Sequence, residues 1–506
     1  MTSRVRLVAL VVAVLSAAAC GQKPGVSGSA APPAPAVGSA ASEPLTSAGT
    51  GLGPETSAVT APLVPSPSGE AAFAPSPVPG RAATATRPSA AATAGPAAGT
   101  APVTAAAGSA RPAGPAPAPE SPAGPGPVAP PSGGAGTTSA DDRTGVSDTE
   151  IVIGLHAPIT GAAPVPQDSL EKAKGLYWRF VAEHGGVFGR NVRVIIKDDQ
   201  FNPAHAVQVC REMVERDKVF LLMGIGTDQT IACARYASQA GVPYFATGGS
   251  QAGFAELSTY FNVSMTFPQQ APMVARLVQR ANLTRVGVLT INTPNYNDTH
   301  SALESAARAA GLQVVRSSRI NKSASQSETL AEANAMRTAG AEAVMMMVAP
   351  LVFLNLAHAA QGQAYNPMWT GPGLSNGLNL VAEFGCPSIG KATFLSPFPQ
   401  LDVIDRFDAD YKPMYRRVNG EEADDLGLAL WGLDKTLHRF FEATGKDLSR
   451  PKFLATLRSG REFASNILPP VHYSPGNPFG ASQAHVLEAD CSSRTYKTLH
   501  TFVSSL

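Results

Sequence analysis

VFLLMGIGTDQTIACARYASQAGVPYFATGGSQAG, residues 219–253, is the stretch whose reading decides the fold. An apolar run at 219–223 stops at Gly224 and Gly226, a polar turn opens a segment of helical length and composition at 228–240, and a second apolar run follows at 242–245. That run ends in the small-residue loop ATGGSQAG. The pattern is strand, loop, helix, strand, loop, a parallel βαβ unit whose two loops leave the carboxyl ends of their strands on the same edge of the sheet. Open α/β sheets bind ligands at that edge. Thr227, Asp228, Thr230 and Ser250 bring polar side chains to it, Gly248 and Gly249 allow close backbone approach, and the helix start offers unpaired N–H groups that favour an anion. The stretch predicts a small-molecule site. Thr227, Asp228 and Thr230 are also good helix caps, which is the plainer reading of the same residues.

The alternation extends in both directions. On the amino-terminal side, EIVIGLHAPITG reads as a strand entering a loop, residues 169–184 as an amphipathic helix, and NVRVIIKDD as a strand ending in Asp198 and Asp199, before the helix that carries Cys210. Two acids at a strand end ahead of Asn and Pro read as turn and cap residues rather than as an acid–base pair. After YFNVSMTFP the pattern restarts: RVGVLTIN, LQVVRSS, EAVMMMVA and PMWTG as strands, with helices at 298–310, 327–338 and 351–361. The run around Met345 is about a dozen residues long and meets Pro350, so it reads as a buried central strand and not a membrane span. From residue 394 helices dominate, at 403–415, 424–444 and 451–458, and a Pro- and Gly-rich tail holds the strand candidates PVHYS and AHVLEA. The fold class is α/β, with two doubly wound, Rossmann-like halves and a returning tail.

The chain opens with Arg4 and Arg6 ahead of an apolar run at 7–19 and then Cys20, a targeting segment too short to span a membrane. Ala17, Ala18 and Ala19 before a lone cysteine resemble a bacterial lipobox, with Ala17 where such boxes usually carry Leu; Cys20 would then bear the lipid. A plain secretory signal is the alternative. Residues 21–140 are nearly all Ala, Pro, Gly, Ser, Thr and Val, with Phe73 their one aromatic, so they cannot bury a core. They form a tether, bounded at about residue 145, with a reach on the order of 60 Å.

The chain carries +1 overall. Its first twenty residues carry +2 and residues 21–140 none, so residues 141–506 carry about −1 and nothing points to nucleic acid. Four cysteines follow Cys20: Cys210, Cys233, Cys386 and Cys491, an even set that suits two disulfides in an exported protein and permits three pairings. Catalysis finds no support. GGSQAG has Ala252 where a nucleophile elbow needs Gly, the nine histidines form no ligand cluster, and no phosphate-binding GxxxxGK[ST] loop occurs. No cofactor and no metal are implied.

GGVFGRNVRVIIKDDQFNPAHAV, the stretch at 219–253 and the loop INTPNYNDT together resemble the type I periplasmic binding proteins, in particular the branched-chain amino acid and amide branch that serves ABC transporters. The resemblance covers essentially all of 149–505. It implies a two-lobed clamp joined by three hinge crossovers, with 146–266 plus 396–464 as one lobe and 267–395 plus 465–506 as the other. It implies that loops matching 227–230 and 248–250 hold a ligand carboxylate, that Tyr296 closes over the ligand from the second lobe, and that Asn376 lies in the facing GPGLSN turn. Trp431 matches near a further family aromatic, although its place between Leu430 and Leu433 reads as core packing. Members that bind α-amino acids place an acid after the GP turn, whereas this chain has Gly373, Ser375 and Asn376 there. A buried ammonium without a carboxylate is costly, so an amide, a carboxylate or another polar solute stands beside an amino acid. The lobe assignment favours Cys210 with Cys233 and Cys386 with Cys491, each within one lobe, with reduced thiols as the alternative. The implied function is an extracytoplasmic solute-binding lipoprotein delivering a small polar solute to an ABC permease. Alternatives are a sensor of the same fold acting on a signalling partner, and an envelope interaction protein.

Overall fold

The computed structural model describes residues 141–161, 164–226, 228–373 and 375–506, which belong to one compact unit. Cys20, the rest of the targeting segment, the tether up to residue 140 and Thr227 lie outside the described residues.

Among the described residues the first sheet is built from β1 (Glu150–Ala157), β2 (Asn191–Asp198), β3 (Leu221–Gly224), β4 (Tyr244–Ala246) and β5 (Tyr260–Asn262), all parallel, in the order β2-β1-β3-β4-β5. Helices α1 (Gln167–Ala173), α2 (Leu176–Glu183), α3 (Pro203–Glu215) and α4 (Asp228–Gln239) connect them. After α5 (Phe267–Arg280) the winding repeats. Strands β6 (Arg285–Ile291), β7 (Gln313–Ile320), β8 (Ala343–Met347), β9 (Met368–Pro372) and β10 (Thr393–Ser396) alternate with α6 (Asn297–Ala309), α7 (Gln326–Thr338), α8 (Pro350–Gly362) and α9 (Asn379–Gly385). Their parallel order is β7-β6-β8-β9-β10, the same winding. Next come α10 (Tyr411–Asn419), α11 (Asp425–Thr444) and α12 (Arg450–Leu457), then the two-residue strands β11 (Glu462–Phe463) and β12 (Val471–His472). The hairpin β13 (Ala484–Asp490) and β14 (Thr495–Val503) is added antiparallel to β10. This is the α/β, doubly wound arrangement expected from the sequence.

Parallel strands must be covered on both faces, and the apolar runs reflect this. Every residue of β3 and of β8 is buried, so Met345, Met346 and Met347 form a central strand between β6 and β9. The first sheet takes part of its cover from late in the chain. Phe440 of α11 stacks on Phe245 at 5.4 Å between ring centroids, Phe453 of α12 meets Phe220 edge-on at 5.3 Å, and Trp431 packs against Tyr177 at 5.0 Å. The Arg450 guanidinium donates to the carbonyls of Val219 and Phe220 and to Asp142. Trp431 is 1% exposed and donates its indole N–H to Asp408, so it belongs to this core.

The chain passes between the sheets three times: from β5 to α5, from β10 to the helices ending at α12, and from the tail to β13. Residues up to Ala481, expected with the second lobe, lie along the first sheet, where Pro478 accepts from Asn262 N at 2.8 Å and Tyr473 donates to the Asn262 carbonyl at 3.0 Å. The last crossing therefore falls between Ala481 and Ala484. Two helices expected as continuous are broken. The one at 169–184 divides at Gly175, whose φ of 68° is open to glycine at little cost. The one at 403–415 restarts at Tyr411, because Asp408 turns its carboxylate onto the N–H groups of Asp410 and Tyr411 and Pro413 suits only a first turn. Cys210 pairs with Cys233 and Cys386 with Cys491, at Cα separations of 6.0 and 5.3 Å.

Candidate ligand cleft between the two sheets

The loops that leave the carboxyl ends of β3 and β4 meet residues that follow β6, and the loop after β2 meets the loop after β7. Asp228, the first residue of α4, accepts hydrogen bonds from Asn295 Nδ2 at 2.7 Å and Thr293 Oγ1 at 3.2 Å, both in the loop after β6. Ser250, fully buried, donates its hydroxyl to Asp298 Oδ2 at 2.8 Å, and the backbone N–H groups of Gln251 and Ala252 donate to the same oxygen at 2.7 and 3.0 Å. Lys322, after β7, donates to the Phe201 carbonyl at 3.2 Å and lies over its ring at 4.8 Å. Three independent contacts thus join the halves at the carboxyl ends of their strands.

Of the other predicted residues, Gly248, Gly249 and Tyr296 meet at Phe267 at the start of α5, Thr230 lies in the first turn of α4, and Asn376 follows β9. Gly248 has φ 66°, and a Cβ there would stand 2.8 Å from the Phe267 ring. Tyr296 is buried and stacks on the same ring at 6.3 Å, so Gly248 and Tyr296 approach one another through Phe267. The Gly249 carbonyl accepts from Phe267 N at 2.8 Å, which fixes the loop against the first turn of α5. Thr230 is buried and donates to the Gly226 carbonyl at 3.0 Å, closing the turn before α4. Asn376 is fully buried and donates Nδ2 to the Val348 carbonyl at 3.1 Å, while its Oδ1 has no partner among the described residues. It is one of four buried amide oxygens without a partner among the described residues, with those of Gln229, Gln270 and Gln400, and is chemically suited to receive an N–H.

The profile described as "Periplasmic binding protein" matches residues 150–490, more than half of the chain. The chain belongs to the periplasmic binding protein family. Solved structures agree on the type I fold. A fatty acid ABC transporter substrate-binding protein from Thermomonospora curvata is similar with a TM-score of 0.61 at 16% identity, covering 72% of this chain and 95% of that one. The branched-chain amino acid transporter substrate-binding protein of Streptococcus pneumoniae, in complex with isoleucine, gives 0.59 at 16% identity, with 69% and 99% covered. A solute-binding protein from Rhodopseudomonas palustris BisB5, in complex with 3,4-dihydroxybenzoic acid, gives 0.57 at 17%, with 67% and 92% covered. No curated protein matches the sequence. Membership makes this a binding protein rather than an enzyme and places it outside the cytoplasm. No helix among the described residues is long and apolar enough to cross a membrane.

Beneath the cleft of this periplasmic binding protein lies a polar chain that the sequence did not disclose. Asp199 accepts at Oδ2 from the His156 ring at 2.7 Å, and the other ring nitrogen of His156 meets the Tyr244 hydroxyl at 2.6 Å; all three residues are fully buried. Gly224 makes room for it, since a Cβ there would lie 1.8 Å from the Tyr244 oxygen. Burial drives the Tyr244 hydroxyl well above its ordinary pKa, with Thr230 offsetting this in part. The tyrosine is therefore a neutral donor. His156 also lies near Cys210 and Cys233, the one grouping of three potential metal ligands among the described residues, but those sulfurs are bonded to each other. Asp198 makes the expected turn, accepting from the N–H groups of Ile159, Thr160 and Gln200. Asp199 does more than a turn requires. Asp298 was also legible only in part: it sits two residues beyond Tyr296 at a helix start, where an acid needs no further explanation.

Proposed function

We propose that the protein captures a small polar solute, an amino acid, amide or carboxylate, in the cleft between its two sheets and delivers it to an ABC permease. The supporting observation is the apposition of strand-end loops from both sheets; the buried Asn376, its Oδ1 unpaired, follows the carboxyl end of β9 in the second sheet. The solute would lie between the 226–230 and 248–249 turns on one side and Tyr296 and Asn376 on the other, with Thr227, Asp228 and Thr230 at the amino end of α4. Ser250 would stand at the edge, its hydroxyl already engaged. The lobes would comprise 146–266 plus 396–464 and 267–395, the tail being divided between them. Isoleucine and 3,4-dihydroxybenzoic acid, bound by similar structures, are small carboxylates and agree with this solute class. Cys20 would carry the lipid, and the tether would hold the clamp at the outer face of the membrane.

The test is a thermal-shift screen of the full chain against amino acids, amides, aromatic and aliphatic carboxylates, and sugars. A ligand at a hundred times its dissociation constant adds about 2.7 kcal/mol. Asn376→Ala should then weaken the best solute about tenfold, or ~1.4 kcal/mol. No shift from any solute counts against capture, and an unchanged affinity in the variant removes Asn376 from the site.

A further inference from the structure

The loop at 250–252 holds an anion, and that anion is the protein's own. Asp298 Oδ2 receives the Ser250 hydroxyl and the consecutive N–H groups of Gln251 and Ala252, while Oδ1 receives Thr299 N at 2.6 Å and Thr299 Oγ1 at 3.2 Å. Both oxygens are therefore engaged, and no cation within ion-pair distance among the described residues shares the charge. A hydroxyl with two successive backbone N–H groups is the kind of donor set that takes a ligand carboxylate, since oriented dipoles bind an anion without a counter-charge. Here the carboxylate arrives from the first turn of α6, on the opposite side of the cleft.

We propose that Asp298 is the resident carboxylate of this loop and a specificity-determining residue: it denies the 250–252 donors to a solute and joins the two halves through them. The inference rests on the reading of this cleft as a solute site. A solute carboxylate is then received by the turn at 226–230 and not by the 250–252 loop. Closure draws on donors that the protein satisfies itself, aided by the reverse contact of Asp228 with Thr293 and Asn295.

Chemical rescue tests this in the full chain. In Asp298→Ala the side chain that fills the loop is gone, so free acetate can enter. Melting in sodium chloride should fall by about 3 °C or more relative to the parent. Sodium acetate at equal ionic strength should recover roughly half of that loss by binding only the folded state. The parent should gain nothing from acetate over chloride, and neither should Asp405→Ala, which removes an exposed acid paired with Lys412 away from the cleft. Small monocarboxylates that leave the parent unmoved should shift Asp298→Ala. Should that variant fold poorly, Asp298→Asn retains the shape and one acceptor, and small-angle scattering should give it a larger radius of gyration than the parent as the halves part. Acetate acting equally on parent and variant overturns the proposal, as does an unchanged radius in Asp298→Asn. Acetate rescue with no solute found in the screen would leave the resident carboxylate standing and remove solute capture. Solute binding without rescue would do the reverse.

Discussion

Gly248 shows how tightly the cleft constrains single residues. It adopts a left-handed φ, and an added methyl would press on the Phe267 ring that Tyr296 stacks against. Gly248→Ala should therefore cost about 1–3 kcal/mol through backbone strain and the displaced ring. Denaturant unfolding measures it, and a loss below about half a kcal/mol would mean the ring moves aside freely. The same residue shows what the sequence discloses. GG in a loop after an apolar run announces close approach, and that approach was legible at 248–249. What approaches was not legible, because Phe267 is nearby only after the chain has crossed to the second sheet. Asp298 and His156 were opaque for the same reason. An acid opening a helix and a histidine closing a strand each have an ordinary explanation, and only the partners Ser250 and Asp199 give them another.

At the scale of elements, α11 is the clearest helix in the sequence, and it carries the most perturbed carboxyl among the described residues. Asp434 is buried in it, and burial lifts its carboxyl to about 8, with the neighbouring Trp178 indole offsetting this only in part; that N–H falls outside hydrogen-bond geometry. The folded state thus keeps a proton that the unfolded chain releases above its ordinary 3.8, so this contribution to stability is complete below 3.8 and lost as pH rises toward about 8. His485 acts oppositely: burial holds it near 4, so its contribution is lost as pH falls from 6.5 toward 4. The informative quantity is therefore the difference between Asp434→Asn and the parent. Between about pH 5 and about pH 8 the variant should lose less stability with rising pH than the parent, and parallel curves would show that Asp434 is already ionised. The disulfides also act at this scale. Cys386–Cys491 spans 105 residues and Cys210–Cys233 spans 23, so the chain-entropy account predicts losses of about 4–5 and about 3 kcal/mol on replacing Cys386 or Cys210 by Ala. Denaturant midpoints should rank in that order; the reverse ranking would show that local packing, not loop length, governs.

The whole molecule is a repeated winding, strand order 2-1-3-4-5 twice, and that repetition was readable because hydrophobic period and loop chemistry agree in each βα unit. The tail was less readable. The strand TYKTLHTFV alternates weakly and was not expected, and PVHYS, expected as a strand, forms only the two-residue β12, paired antiparallel with β11. Because the cover of the first sheet arrives so late, a chain ended after residue 396 should leave Phe220 and Phe245 bare and aggregate rather than yield an isolated second half beside a folded first one. Soluble, cooperatively melting protein from that truncation would contradict the dependence.

That late cover also bears on the order of assembly. The first sheet begins at residue 150 and takes cover from aromatic rings at 440 and 453 and from the segment at 473–479 beside β5, so these contacts join distant parts of the chain. Contacts of such separation form slowly. Strands β6 to β10 can wind while the flanking segments wait, and their sheet is itself completed only by the hairpin at 484–503, so each half is finished by the last part of the chain.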